Sequence, residues 1–143
     1  MLLLFVQNLI AQKIENKIKE NEVPVAVINA FKSKYPTILA KQWELDNGKY
    51  EVDFYKEKIK YIAVFTVEGK WLITGTELKK EEVPKNIMDQ IAAGEYKDWK
   101  YNQARSVETP ELAKEIIVEV EKGNEDVMLY FDIDGKFLRA KKE

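Results

Sequence analysis

The feature that most constrains how this chain can fold is an internal repetition of its helix and turn signals. Val23-Pro24 is followed by Val27, Ile28 and Phe31, and Val83-Pro84 is followed by Ile87, Met88 and Ile91. Counted from each Val, the apolar residues fall at i+4, i+5 and i+8, with Pro where the first turn of a helix tolerates it. Both segments therefore predict a short amphipathic helix entered through a Val-Pro corner. Later segments repeat as well: Tyr50-Glu51-Val52-Asp53-Phe54 parallels Ile116-Ile117-Val118-Glu119-Val120, and Glu68-Gly69-Lys70-Trp71-Leu72 parallels Asp134-Gly135-Lys136-Phe137-Leu138. The offset is 60 residues at the helices (Val23 to Val83) and 66 at the strands (Gly69 to Gly135). An α+β fold is expected, made of two tandem units, each a helix plus a four-stranded antiparallel sheet. The first spans residues 23–78 and the second 83–143, with a linker at 79–82 and an N-terminal extension at 13–22.

Two-residue loops set the expected registers, because Asn-Gly and related dipeptides favour tight hairpins. Around Asn47-Gly48, Leu45 should face Tyr50 and Trp43 should face Val52. Around Gly123-Asn124, Val120 should face Val127 and Val118 should face Leu129. Treating Glu68-Gly69 and Asp134-Gly135 alike pairs Phe65 with Leu72, Thr66 with Trp71, Val64 with Ile73, Phe131 with Leu138 and Tyr130 with Arg139. Residues opposite one another share a face. The helix-covered side should thus hold Trp43, Tyr50, Val52, Phe54, Phe65 and Leu72 in the first unit, and Ile116, Val118, Val120, Val127, Leu129, Phe131 and Leu138 in the second. The far side collects Ile62, Val64, Thr66, Trp71, Ile73, Glu51, Asp53 and Tyr55, then Ile117, Glu119, Met128, Tyr130, Asp132, Phe137 and Arg139. That side is too apolar for one that only meets water.

Composition narrows the chemistry. The 143 residues include no His and no Cys, which excludes Ser-His-Asp and Cys-His nucleophilic sites, Cys/His zinc sites, Cys-ligated iron–sulfur centres and internal disulfides. The 23 Lys and Arg against 25 Asp and Glu are interleaved, so no basic stripe follows a phosphate backbone and nucleic acid is not an expected partner. Arg105 and Arg139 are the only arginines. No cofactor is expected.

The first twelve residues carry no charge, whereas charges alternate with Ile from Lys13 onward. A run this short cannot span about 30 Å of hydrocarbon as a helix. It matches the apolar region and small-residue end of a secretory signal peptide cut near Ala11 or Gln12, although the positively charged start is missing. A buried first strand or helix is the competing explanation. Export predicts a periplasmic or secreted protein.

Val23-Pro24, Ala30-Phe31-Lys32, Lys34-Tyr35-Pro36, Lys41-Gln42-Trp43-Glu44, Gly48-Lys49-Tyr50-Glu51-Val52, Val67-Glu68-Gly69-Lys70-Trp71 and Phe131-Asp132-Ile133-Asp134-Gly135-Lys136-Phe137-Leu138 occur in that order. The series resembles the PepSY-like family of β-lactamase-inhibitor-like proteins, exported proteins found mainly in Bacteroidetes. The resemblance covers roughly residues 23–140. It implies two duplicated helix-plus-four-strand units whose sheets form one extended surface, and a periplasmic or secreted address. It implies no reaction and carries over no catalytic residue.

Other motifs have plainer explanations. Asp132-Ile133-Asp134-Gly135 lacks the Gly at position six and Glu at position twelve of an EF-hand loop and reads as a hairpin turn, so no metal site is expected. Glu51 and Asp53 share a strand face roughly 7 Å apart, near glycosidase carboxylate spacing, but any exposed strand shows such pairs. The expected function is an exported, non-enzymatic binding protein that presents its aromatic sheet face to a protein partner, with enzyme inhibition as one form of that binding. Tyr55, Trp71, Ile73, Tyr130 and Phe137 are the expected apolar anchors, with Arg139 and Glu119 at the polar rim. The alternatives are a small-ligand sensor or carrier using a groove near Trp43, Trp71 and Trp99, and a hydrolase working through Glu51 and Asp53.

Overall fold

A computed structural model of the protein describes residues 16–143. The expected leader at 1–12 and the start of the expected extension lie outside the described residues. The chain forms two compact units that divide between Gly75 and Thr76. The first contains β1 (Lys17–Ile18), α1 (Val25–Lys34), β2 (Gln42–Asp46), β3 (Lys49–Lys56) and β4 (Ile59–Phe65), together with most of β5 (Trp71–Leu78). The second contains α2 (Lys85–Ala93), β6 (Lys100–Glu108), β7 (Glu115–Lys122), β8 (Glu125–Asp132) and β9 (Phe137–Lys142). Within each unit consecutive strands pair antiparallel, β1 through β5 in the first and β6 through β9 in the second.

Both helices are entered in the same way. A single 3-10 turn, Glu20–Glu22 or Lys80–Glu82, comes first, and its last Glu carboxylate accepts the backbone N–H of Lys19 or Lys79 at 2.7 Å. Pro24 and Pro84 are the residues immediately before the helices, where a missing N–H costs nothing. The Pro24 carbonyl accepts the N–H groups of Val27 and Ile28 at 3.0 and 3.1 Å, closing the first turn. In the first unit α1 lays Val27 and Phe31 on Trp43, Val52, Phe54, Ala63 and Phe65. In the second, Ile87 lies on Ala104, Ile116, Val118, Val120, Val127, Leu129 and Phe131, with Met88 and Ile91 beside it. Burying side chains of this size contributes about 1.5–3 kcal/mol each.

The expected pairs Leu45–Tyr50, Trp43–Val52, Val120–Val127 and Val118–Leu129 are all present. Asn47 and Gly48 both have positive φ, 51° and 77°, as a two-residue type I′ turn requires. The two other Gly hairpins keep the expected pairs Val64–Ile73 and Tyr130–Arg139 but differ from expectation next to the turn. At Val67-Glu68-Gly69 and Ile133-Asp134-Gly135 only the glycine has positive φ, 87° in both. Thr66 N–H donates to the Lys70 carbonyl at 2.9 Å and Asp132 N–H to the Lys136 carbonyl at 3.0 Å. These are three-residue loops ending in a left-handed glycine. The strand leaving each loop then carries one extra residue: Phe65 pairs with Trp71 yet Val64 with Ile73, and Phe131 pairs with Phe137 yet Tyr130 with Arg139. Leu72 and Leu138 are the bulged residues. Trp71 and Phe137 consequently turn to the helix side, where Trp71 packs on the first core and Phe137 meets Phe131 with ring centroids 5.6 Å apart. Their expected place on the far side is corrected, as is the expected core role of Leu72 and Leu138. No helix among the described residues is long and apolar enough to cross a membrane.

Candidate functional site

The side of the second sheet away from α2 is built from two cross-strand rows. Arg105, Ile117, Tyr130 and Arg139 are in register across β6–β9, and Gln103, Glu119, Met128 and Lys141 form the adjacent row. Alternation along the strands puts both rows on one face. A bulge at Asn102 in β6 leaves Asn102 and Gln103 side by side near Glu119, and they donate from Nδ2 and Nε2 to its two carboxylate oxygens at 2.7 Å each.

Arg105 is only 3% exposed, and a buried guanidinium is tolerated only with partners. Glu119 Oε2 lies 3.9 Å from Nη1, and Nη2 donates to the Met128 sulfur at 2.9 Å. Among the described residues the Arg105 Nε–H has no hydrogen-bond partner. Burial pushes the Arg105 pKa below its ordinary value, while the negative charge of Glu119 opposes that shift.

Arg139 is the exposed end of the same face. Its guanidinium donates to Glu115 through both terminal nitrogens, at 3.1 and 2.8 Å, and lies 4.0 Å above the Tyr130 ring. The hydrogen bonds it donates to Glu115 raise the Arg139 pKa. Burial raises the Tyr130 pKa, against the lowering effect of Arg139 and Arg105. The result is a permanent cation whose direction is fixed by a carboxylate and an aromatic ring. It can pair with an anionic or carbonyl group on a partner with little further loss of rotamer freedom.

In the first unit, Glu51 and Asp53 do lie on the corresponding face, with Ile62, Val64 and Ile73. Both carboxylates are buried, and Lys60 holds Asp53 at 2.6 Å. Tyr55, on the same strand, is half exposed. The structure thus brings Glu119, Tyr130 and Arg139 together. Ile73, Tyr130 and Glu119 are buried where sequence reasoning expected contact residues, and Trp71 and Phe137 lie on the other side of their sheets. Trp43 and Trp71 pack in the first core and Trp99 on the second. Asp132 Oδ1 accepts the N–H groups of Asp134 and Lys136, both at 2.9 Å, which makes that acidic run a turn. Among the described residues no cluster of three or more Asp or Glu could hold a metal.

Arg105, Asn102, Gln103, Met128 and Glu115 escaped the sequence reading. The signal was available for Arg105: it and Arg139 are the only two arginines, and both fall in one row. The long β6–β7 connection, with no tight turn to fix its register, concealed that row.

Comparison with known proteins gives one family and several structures. The family model described as "Putative beta-lactamase-inhibitor-like, PepSY-like" matches residues 8–62 and 48–139. A BLIP-like protein from Bacteroides fragilis is 30% identical, with a TM-score of 0.69 over 83% of this chain and 86% of that one. A structure described as putative periplasmic proteins, from Bacteroides eggerthii, is 27% identical, with a TM-score of 0.61 over 84% and 88%. A DUF2874 family protein from Bacteroides uniformis is 26% identical, with a TM-score of 0.63 over 83% and 88%. No curated protein matches the chain.

Proposed function

The chain belongs to the family described as putative beta-lactamase-inhibitor-like, PepSY-like, and from that membership we propose an exported, non-enzymatic protein that binds another protein through its sheet face. Enzyme inhibition is the form of binding that the family description and the BLIP-like neighbour favour. The neighbour described as periplasmic supports an address outside the cytoplasm.

The observation that carries this reading is the fixed Arg139 cation, clamped by Glu115 over Tyr130 on an exposed strand. Arg139 and Tyr55 make the first contacts in this proposal. Tyr130 and Glu119 support Arg139 from within the second sheet, Ile73 lies on the same side of the first sheet as Tyr55, and Trp71 and Phe137, on the helix side, take no part in this face.

The test is affinity capture from a periplasmic extract of the native host, with the whole protein as bait. One protein should be retained by the wild type and lost, by at least tenfold in yield, with Arg139→Ala and with Tyr55→Ala, both variants giving wild-type circular dichroism. Retention of the same partner by both variants would move the interface off this face. Turnover by the protein itself, abolished in Glu51→Gln, would replace binding with catalysis.

A further inference from the structure

The second unit has a groove of about 220 Å³ between the C-terminal end of α2 and the β8–β9 hairpin. Ile91, Leu129, Phe131 and Phe137 make its apolar floor, and Tyr96, leaning on Trp99 at 5.4 Å, makes one wall. The volume lies below the ~300 Å³ at which drug-sized sites begin, and suits a single ring.

The first unit says what belongs there. By the helix offset, Ile91, Gly94 and Glu95 stand where the first unit has Phe31, Lys34 and Tyr35. By the strand offset, Phe131 and Phe137 stand where it has Phe65 and Trp71. The correspondence holds in three dimensions where each helix packs on its glycine hairpin. Gly69 would place a Cβ against Ala26 and Ala30, and Gly135 would place one against Asn86, while Gln90 donates to the Gly135 carbonyl at 2.6 Å.

In the first unit this space is filled from within. Phe31 and Tyr35 lie 5.6 Å apart, the Tyr35 hydroxyl and Trp71 Nε1 meet at Thr74 Oγ1 (2.6 and 2.9 Å), and Lys34 Nζ sits 3.4 Å over the Trp71 ring. At the same offset the second unit has Glu95 for Tyr35 and Gly94 for Lys34: the ammonium group is gone, and the tyrosine stands one residue later, as Tyr96 in the groove wall. What remains is an apolar floor under an exposed carboxylate and a bare Cα.

We propose that this groove takes an aromatic side chain of the protein partner, flanked by a cationic side chain that reaches Glu95. The ring lies beside Phe137, as Tyr35 lies beside Trp71 with both side chains reaching Thr74 Oγ1, and the cation supplies the charge that Lys34 supplies over Trp71. This rests on the partner-binding reading above and names one of the groups the partner must present.

The test uses three short probes, acetyl-Tyr-Lys-amide, acetyl-Leu-Lys-amide and acetyl-Tyr-Glu-amide, titrated into the full-length ¹⁵N-labelled chain. The Tyr-Lys probe should shift the amides of Gln90, Gly94, Tyr96 and Phe137, and bind at least threefold more tightly than either other probe. Refilling the groove with the first unit's own rings, Glu95→Tyr with Phe137→Trp, should weaken the Tyr-Lys probe at least tenfold without lowering the melting temperature. Glu95→Gln should abolish the preference for Lys over Glu while leaving the preference for Tyr over Leu.

Equal shifts from all three probes, shifts confined to other residues, or undiminished binding by the refilled variant would overturn the proposal. Undiminished capture of the native partner by the refilled variant would also overturn it while leaving the partner-binding reading intact. Probe binding at these residues with no partner captured by the wild type would do the reverse: the groove would stand and the protein-partner reading would fall.

Discussion

Arg105 is the costliest side chain in the second unit, because a guanidinium at 3% exposure must be repaid by neighbours. The carboxylate nearest to it among the described residues is Glu119, which Asn102 and Gln103 hold in place. Glu119→Ala should therefore cost about 3 kcal/mol, the range expected when one partner of a buried pair is removed. It should lower the urea midpoint with the slope unchanged, and a loss below about 1 kcal/mol would mean that Met128 and water suffice for Arg105. Tyr130 and Tyr101 add an alkaline dependence. Burial raises both pKa values above the usual tyrosine value of about 10, so their contribution to stability is fully present below that pH and is lost as pH rises through the folded-state values. Urea midpoints should fall as the pH rises above about 10, and Tyr130→Phe should flatten that fall. Sequence alternation identified which side of the sheet Tyr130 and Glu119 occupy. It carried no information about depth, since an alternating strand looks the same whether its second face meets water or protein.

Turns explain both what the sequence disclosed about the elements and what it hid. Asn47-Gly48 and Gly123-Asn124 gave correct registers because such dipeptides fit two-residue turns. Glu68-Gly69 and Asp134-Gly135 look similar, but Glu68 and Asp134 do not share the positive φ of their glycines, so each loop takes a third residue and the following strand bulges. The same loop and bulge recur in both units, which identifies them as part of the duplicated piece. The two kinds of turn should respond differently to a methyl group. At Gly69 a Cβ would lie 2.5 Å from the Ala26 carbonyl oxygen, whereas at Gly48 it meets nothing within 4 Å. Gly48→Ala should cost about 1 kcal/mol from its left-handed φ alone, and Gly69→Ala about 3 kcal/mol, since α1 must also move away from the hairpin. Thermal melts of the two variants compare them directly; equal losses would mean that α1 yields without cost.

At the scale of the molecule, the absence of His and Cys has a physical consequence besides the reactions it excludes. No side chain with an unperturbed pKa between 5 and 8 is present, and no covalent cross-link contributes. The melting temperature should vary by less than about 2 °C between pH 6 and 8 and be indifferent to dithiothreitol; a sharp step near pH 6.5 would reveal a strongly displaced carboxylate. The duplication was legible because Val-Pro corners and Gly turns recur at fixed offsets. The divergence between the copies, which opens the groove beside α2, could be read only after the bulges had shown that Trp71 and Phe137 face the helices. Strand β9 carries a further consequence. Among the described residues it pairs only with β8, and its exposed length bears Arg139, Lys141 and Lys142. An open backbone edge is a template for chain-to-chain polymerisation, and cations along it make two such edges repel. This protein's shelf life at high concentration should therefore depend on ionic strength: dilute buffer keeps it monodisperse, and concentrated salt, by screening that repulsion, promotes fibril-like assembly.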